Sequence, residues 1–263
     1  MRILYRSGTE MQSCQRHPMS VQYADMEKKL LTPGILKFPK PHTAEEIAVD
    51  AKKRLSLISK EFAEGLKFVT AFKKSVTFFG SSVLPETDPY YQHARALAEK
   101  LSKLGYVIVT GGGPGIMEAA NRGAYEAGRR SVGLNIRLPH EQRQNSFLTD
   151  FLDFHYFFSR KVALTFAAEA YIFFPGGFGT LNEFFEIAML MQTGRLVPVP
   201  LILVGGEFWN PLDSFLKKSV GEQHGMADAE ALSLYMISDD DEKIIELIKK
   251  TPVVDNIPFS RET

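Results

Sequence analysis

Short apolar runs alternate with amphipathic segments along most of the chain, and this alternation is typical of a parallel sheet wound with helices. The apolar runs predict strands at 75–79, 106–110, 131–136, 152–157, 170–174, 199–204 and 235–238. Apolar residues at steps of three and four predict helices at 90–104, 116–127, 159–168, from 181 onward, around 211–220 and at 240–250. We therefore expect an α/β protein with a doubly wound, Rossmann-like parallel sheet and helices on both faces.

The N-terminal region differs from the rest. Residues 1–40 show no sustained period, so we expect an irregular arm there. Thr43 and Glu46 form a Thr-x-x-Glu helix start. An apolar stripe with helical spacing follows at Ile47, Ala51, Leu55, Ile58, Phe62, Leu66 and Val69. We expect one domain over 41–263, made of a helical extension at 43–72 and a core at 75–250.

The composition and charge of the chain restrict the kinds of molecule that it is expected to bind. At 263 residues and 44% hydrophobic content the chain can bury a sizeable core, and its 31 basic and 31 acidic residues give no net charge. We therefore expect no nucleic-acid or membrane partner, and any anion site must be local. The single cysteine, Cys14, and histidines without metal-ligand spacing predict no metal site. The N-terminus has no apolar signal-peptide core, so we expect a cytoplasmic protein.

Three glycine-rich turns follow predicted strands. They contain Gly80, Ser81 and Ser82; Gly111, Gly112, Gly113 and Gly115; and Gly176, Gly177, Gly179 and Thr180. Each turn alone is also explained as a tight loop. Ligands of such sheets bind beyond the carboxyl ends of the strands, where all three turns would lie together. Their combination favours a polar site the size of a nucleotide.

The central segment reads FFPGGFGTLNEFFE, from Phe173 to Glu186. Pro175 stops the strand, and the glycines leave backbone N–H groups open to a ligand. We expect Thr180 to cap the following helix, whose positive N-terminus suits a phosphate. Glu183 then has two interpretations: the second member of a capping box with Thr180, or a functional carboxylate. A simple helix start does not need three glycines, which favours the functional interpretation.

Three familiar chemistries do not fit. A dinucleotide fingerprint starting at Gly111 would need glycine where the chain has Ile116. A Walker A loop would need lysine after Gly179, where Thr180 stands. Pyridoxal-dependent decarboxylation needs a Schiff-base lysine, and only Lys161 lies near the glycine turns.

The segments PGGFGTLNE (175–183) and GGGPGIMEAANRGA (111–124) resemble the LOG family of cytokinin riboside 5′-monophosphate phosphoribohydrolases, long misnamed lysine decarboxylases. The resemblance covers roughly residues 75 to 250. The triple-glycine loop is one residue shorter than in plant members, and the chain carries an N-terminal extension, as in the longer bacterial type. The resemblance implies hydrolysis of the N-glycosidic bond of AMP or N6-modified AMP, without a cofactor.

The resemblance also implies the site residues. It makes Glu183 and Arg160, of the Ser-Arg-Lys segment, the catalytic pair. A carboxylate beside the sugar can stabilise an oxocarbenium-like ribose, whereas an arginine binds and steadies negative charge. The expected substrate-binding residues are Gly80, Ser81, Ser82, Gly111, Gly112, Gly113, Met117, Glu118, Lys161, Gly176, Gly177, Gly179 and Thr180. Without the resemblance, Arg160 fits a solvated helix start and Glu118 a first-turn residue favoured by the helix dipole.

Two further expectations concern assembly and the main alternative. Similar proteins are at least dimers, and the bulky run at 151–158 with Phe184 and Phe185 offers apolar surface, so we expect a homo-oligomer. The rival interpretation is a carrier that binds a nucleotide or molybdenum cofactor without turning it over. Turnover of AMP would separate the two.

Overall fold

The computed structural model describes residues 43–137, 144–166 and 168–252. The strands are β1 (Ser75–Phe79), β2 (Val107–Thr110), β3 (Ser131–Ile136), β4 (Asp150–Phe154), β5 (Tyr171–Phe173), β6 (Leu201–Leu203) and β7 (Met236–Ile237). The helices are α1 (Ala44–Val69), α2 (Pro89–Lys103), α3 (Ile116–Glu126), α4 (Phe157–Phe166), α5 (Phe178–Gln192), α6 (Gly206–Phe215) and α7 (Asp241–Lys250). A π-helical segment (Leu216–Gln223) and a 3₁₀ turn (Ala231–Ser233) complete the set.

All seven strands form one parallel sheet in the order β4-β3-β2-β1-β5-β6-β7. The predicted α/β class with a doubly wound parallel sheet is confirmed. The predicted irregular arm at 1–40 lies outside the described residues. None of the helices within the described ranges is both long and apolar enough to cross a membrane.

The strands read as continuous apolar runs because both faces of the sheet are covered. All five residues of β1 are buried. Val76 and Phe78 pack in the core under α2, α3 and α7. Phe79 points the other way, into the core beneath α4, α5 and α6. Because successive side chains of a strand point to opposite faces, β1 contributes to both cores.

The direction of winding reverses at β1. From β1 the chain moves through β2 and β3 to the edge strand β4, and then crosses to β5 on the other side of β1. Phe78 pairs with Ile172 across this junction. The loops after β1 and β5 leave the sheet beside each other there, which opens a crevice at the carboxyl ends of the strands.

Helix α1 begins as predicted. The Thr43 N–H donates to Glu46 Oε2 at 2.8 Å, and the Glu46 N–H donates to Thr43 Oγ1 at 3.1 Å, which is a reciprocal capping box. The chain divides into two units at Lys52, and each unit is described by itself. Within the second unit, Leu55 of the predicted stripe is 63% exposed, whereas Val69 is buried.

Several element boundaries differ from prediction, most clearly at α4 and α6. The sequence predicts a strand to residue 157 and a helix from 159, but β4 ends at Phe154 and α4 already begins at Phe157. The aromatic run has high strand propensity, which tertiary contacts override. The helix predicted around 211–220 begins at Gly206, with Pro211 inside it, and changes to π-helical geometry at Leu216.

Candidate active site

A cavity of about 360 Å³ occupies the crevice, a volume in the usual range for small-molecule sites. The loops after β1, β2 and β5 form its walls together with the end of β3 and the N-terminal turns of α3, α4 and α5. Its lining residues are Phe79, Gly80, Ser81, Ser82, Val83, Gly111, Met117, Ile136, Phe157, Arg160, Gly177, Gly179, Thr180 and Glu183. The cavity thus brings together ten of the fifteen residues that the sequence predicts for the site.

Arg160 enters the cavity from the first turn of α4. Its side chain is buried, and its Nε–H donates to the Leu134 carbonyl at 2.7 Å. Burial lowers the pKa of the guanidinium, and the nearby Glu183 partly opposes that shift. A guanidinium still remains protonated at any physiological pH. The site therefore holds one fixed positive charge.

Gly111 makes room for that charge. A Cβ placed on Gly111 would overlap Nη2 of Arg160 and would lie 2.8 Å from Sδ of Met117. The first glycine of the triple-glycine turn is therefore required by the close approach of a side chain to its α-carbon.

Glu183 lies on the second turn of α5 and lines the cavity. Desolvation raises the pKa of its carboxyl to about 7, although Arg160 and Lys161 favour the charged form. Glu186 adds a smaller contribution in the same direction as burial. A carboxyl with such a pKa can both carry negative charge and accept a proton near neutral pH.

The expected cap at Thr180 is wrong, and the capping-box interpretation of Glu183, which the sequence left as the less favoured one, does not hold either. Helix α5 begins at Phe178 and its N-cap is Gly177, which has no side chain to accept a hydrogen bond. Thr180 is instead a buried residue inside the first turn. The glycine pair lets the helix start earlier than a threonine cap would, so its first N–H groups have no side-chain acceptor at the cap. Glu183 is thereby freed from a capping role.

The turns after β1 and β5 are tied together. The Ser81 N–H donates to the Pro175 carbonyl at 2.9 Å, and the Ile116 N–H donates to the Ser81 carbonyl at the same distance. Gly176 is not a lining residue, but a Cβ on it would lie 2.7 Å from Cβ of Thr180. Gly176 therefore serves the close packing of the turn rather than contact with the cavity.

Gly112 and Gly113 also lie behind the cavity wall. Their carbonyls accept hydrogen bonds from the backbone and side-chain amides of Asn145, at 2.9 Å and 3.0 Å. Gly112 has a φ of +70°, a conformation that favours glycine. The sequence analysis missed Asn145, because nothing in its neighbourhood marks a residue that reaches back 32 positions to a loop.

The remaining two predicted residues make other contacts. Glu118 accepts a hydrogen bond from the Tyr91 hydroxyl at 3.0 Å and is not among the lining residues. Lys161 donates to Asn182 Oδ1 at 3.0 Å and forms an ion pair with Glu186. It borders a narrow cleft on the far side of Glu183. The structure therefore places Lys161 near Glu183 but outside the main cavity.

A family described as possible lysine decarboxylase matches residues 117–248, which is half of the chain. A probable cytokinin riboside 5′-monophosphate phosphoribohydrolase of Oryza sativa subsp. japonica is 31% identical over 160 residues, covering 57% of this chain and 72% of the relative. The chain belongs to the LOG family. A second relative, a cytokinin riboside 5′-monophosphate phosphoribohydrolase of Arabidopsis thaliana, is 27% identical over 182 residues, covering 68% of this chain and 84% of that one.

A solved structure shares the fold of this chain. The molybdenum cofactor binding protein of Rippkaea orientalis superposes with a TM-score of 0.51 and 21% identity, covering 67% of this chain and 96% of that one. At this identity the likeness concerns the fold alone. Within the described ranges of this LOG-family protein, no three histidine, cysteine, aspartate or glutamate side chains cluster as metal ligands would.

Proposed function

We propose that this LOG-family protein hydrolyses the N-glycosidic bond of purine nucleoside 5′-monophosphates, AMP or N6-modified AMP, to the free base and ribose 5-phosphate. One observation carries the proposal: a buried arginine and a carboxyl with a pKa of about 7 share a cavity that is lined by glycine turns. The curated relatives support it, since both are named as phosphoribohydrolases of cytokinin riboside 5′-monophosphates.

The phosphate would bind at the start of α5. Gly177, Gly179 and Thr180 border the cavity, and the helix begins there without a side-chain cap. Free N–H groups and the positive end of the helix dipole favour an anion. The Thr180 hydroxyl and the Arg160 guanidinium would add charge-assisted hydrogen bonds. Together they would fix the ribose relative to Glu183.

Glu183 would act on the ribose. As the C1′–N9 bond breaks, positive charge develops on the sugar, and a nearby carboxylate stabilises it. A water oxygen then bonds to C1′, and Glu183 accepts the proton that this water loses. The base leaves with the electron pair of the broken bond and takes a proton from solvent. Arg160 cannot supply that proton, because a guanidinium does not give up its own near neutral pH.

Decarboxylation of lysine, the activity in the family description, finds no support in this cavity. A pyridoxal mechanism needs a lysine free to form a Schiff base. The described residues that line the cavity include no lysine. Lys161, the nearest, is held by Glu186 and Asn182 outside it.

The test compares AMP with adenosine. We expect AMP and N6-substituted AMP to be cleaved, and adenosine to be left almost untouched, because the phosphate supplies both binding and alignment. Chromatography of the free base after incubation measures both reactions, with Glu183→Gln as a control for a contaminating nucleosidase. Equal kcat/KM values for AMP and adenosine would contradict the phosphate site. Tight binding of AMP without cleavage would instead favour the carrier alternative.

A further inference from the structure

One carboxylate of helix α1, that of Glu61, accepts hydrogen bonds from the segment at the start of α4. Glu61 Oε2 accepts a hydrogen bond from the His155 N–H at 2.7 Å, and Oε1 accepts one from the Tyr156 N–H at 3.0 Å. The hydroxyl of the buried Ser159 also lies within hydrogen-bonding distance of Oε1. Three donors thus converge on a single side chain that lies more than 90 positions earlier in the sequence.

This carboxylate lies at the N-terminus of α4. The N–H groups that it binds belong to the two residues immediately before α4. In a capping box a side chain of the helix itself binds the N–H just before the first turn, whereas here a distant helix supplies the acceptor. A negative charge at a helix N-terminus is also favoured by the helix dipole. Glu61 thereby holds the segment from which α4 starts.

Arg160 lies in the first turn of α4, just after these residues. Its backbone N–H donates to the Tyr156 carbonyl at 3.2 Å, so it lies on the turn that Glu61 holds. Its side chain then passes the α-carbon of Gly111 and donates to the Leu134 carbonyl. A shift of the turn would move the guanidinium against two rigid neighbours, because Gly111 and Leu134 are both anchored in the sheet region.

A second set of contacts on the same face of α1 keeps this helix close to the start of α4. Gly65, one helical turn after Glu61, packs on the buried Phe154, and a Cβ at Gly65 would lie 2.9 Å from Cε1 of that ring. The Phe62 and Phe158 rings also meet, with centroids 6.0 Å apart. The C-terminal half of α1 is therefore docked closely enough for a side chain as short as glutamate to reach α4.

We propose that Glu61 is a positioning residue for Arg160, so that the helical extension sets the geometry of the catalytic arginine. This inference rests on the proposed hydrolysis of nucleoside monophosphates only for its kinetic consequence. Glu61→Gln replaces one acceptor oxygen by an NH₂ group that faces backbone donors. The turn must then shift or leave a donor unsatisfied.

The kinetic test is a double-mutant cycle with AMP as substrate. A displacement of about 1 Å at a catalytic group can cost on the order of 100-fold in rate, so we expect Glu61→Gln to lower kcat/KM about 10- to 100-fold. In an Arg160→Ala background the same change should lower it less than about twofold, because there is no guanidinium left to position. An equal loss in both backgrounds would mean that Glu61 only stabilises the fold, and would refute the proposal.

A second readout does not need turnover. The Arg160 Nε–H donates to Leu134, and its exchange with solvent can be followed by ¹⁵N NMR of the full chain. We expect Glu61→Gln to speed this exchange at least about tenfold, and Glu61→Asp, which keeps the charge, to speed it less. Unchanged exchange would overturn the proposal. If the wild-type protein cleaves no nucleotide, the proposed function fails while this measurement still decides the role of Glu61.

The matched control is Glu64→Gln. Glu64 lies on the same helix, is exposed, and contacts only Lys60, at 3.8 Å, among the ion pairs of the described residues. We expect it to leave both kcat/KM and the Arg160 exchange rate unchanged. If Glu61→Gln does not fold, Ser159→Ala removes one of the three donors and should give a smaller change of the same sign. Exchange in Ser159→Ala as slow as in the wild type would then refute the proposal.

Discussion

Replacing Glu183 by glutamine should stabilise the fold and abolish most of the activity. The substitution keeps the shape of the side chain and removes a charge whose burial destabilises the folded state. A gain in stability together with a loss of activity is expected only if Glu183 serves the reaction and does not stabilise the fold. A structural role would give a loss of stability with little loss of turnover.

The size of the stability gain follows from the pKa. Burial raises the pKa of Glu183 from 4.5 to about 7. In the unfolded chain the carboxyl ionises near 4.5, so between these values the folded state binds more protons and the stability of the wild type falls as pH rises. One pKa unit is worth about 1.4 kcal/mol, which sets a ceiling of about 3 kcal/mol above pH 7. Solvent in the cavity screens part of this, so we expect glutamine to gain about 1–2 kcal/mol at pH 8.

Urea unfolding at pH 5 and pH 8 measures this gain. Most of it should disappear at pH 5, where Glu183 is neutral in the folded wild type. Turnover of AMP at pH 8 should fall by about 100-fold or more, as expected when a group that stabilises transition-state charge is lost. Glu64→Gln, on the exposed face of α1, is the control for a simple loss of one carboxylate. A stability difference that does not change with pH, or normal turnover, would refute this account of Glu183.

Three further predictions follow from the same geometry. The kcat/KM for AMP should rise with pH to a plateau above about pH 7, since Glu183 must be ionised, and a flat profile would contradict its role. Gly111→Ala should cut kcat at least about tenfold with a small change in thermal stability, because the added methyl group overlaps the Arg160 guanidinium; wild-type kinetics would refute it. Exposed Phe158, Phe185 and Met189 predict a homo-oligomer, and sedimentation showing only a 29.5 kDa species at micromolar concentration would count against it.

The parts of the fold that the sequence predicts well are those that local patterns determine. The bounds of β1 and β3 agree with prediction, because strands buried on both faces are continuous apolar runs. The glycine turns lie together at one edge of the sheet because parallel strands place all their carboxyl ends there. Neither inference needs a partner that is distant in sequence.

Two of the features that prediction missed involve such distant partners, and a third is local. Glu61 accepts hydrogen bonds from the two residues before α4, and no local pattern connects it with residue 157. The role of Gly112 depends on Asn145 in the same way. Thr180 was expected to cap α5 because threonine is a common cap, but the backbone of Gly177 takes that position. Propensity describes what a residue prefers on average, and tertiary contacts decide what it does here.

The two charged residues of the cavity respond to burial in opposite ways, and this difference explains why the site should select an anion. Glu183 can lose its charge by taking up a proton, and with a pKa of about 7 it is ionised only about half of the time near neutral pH. Arg160 cannot lose its charge, although burial penalises it. The free site therefore carries, on average, more positive than negative charge in a partly desolvated cavity. A phosphate at the start of α5 would supply the missing negative charge, so the burial of the arginine is a cost that the proposed substrate relieves.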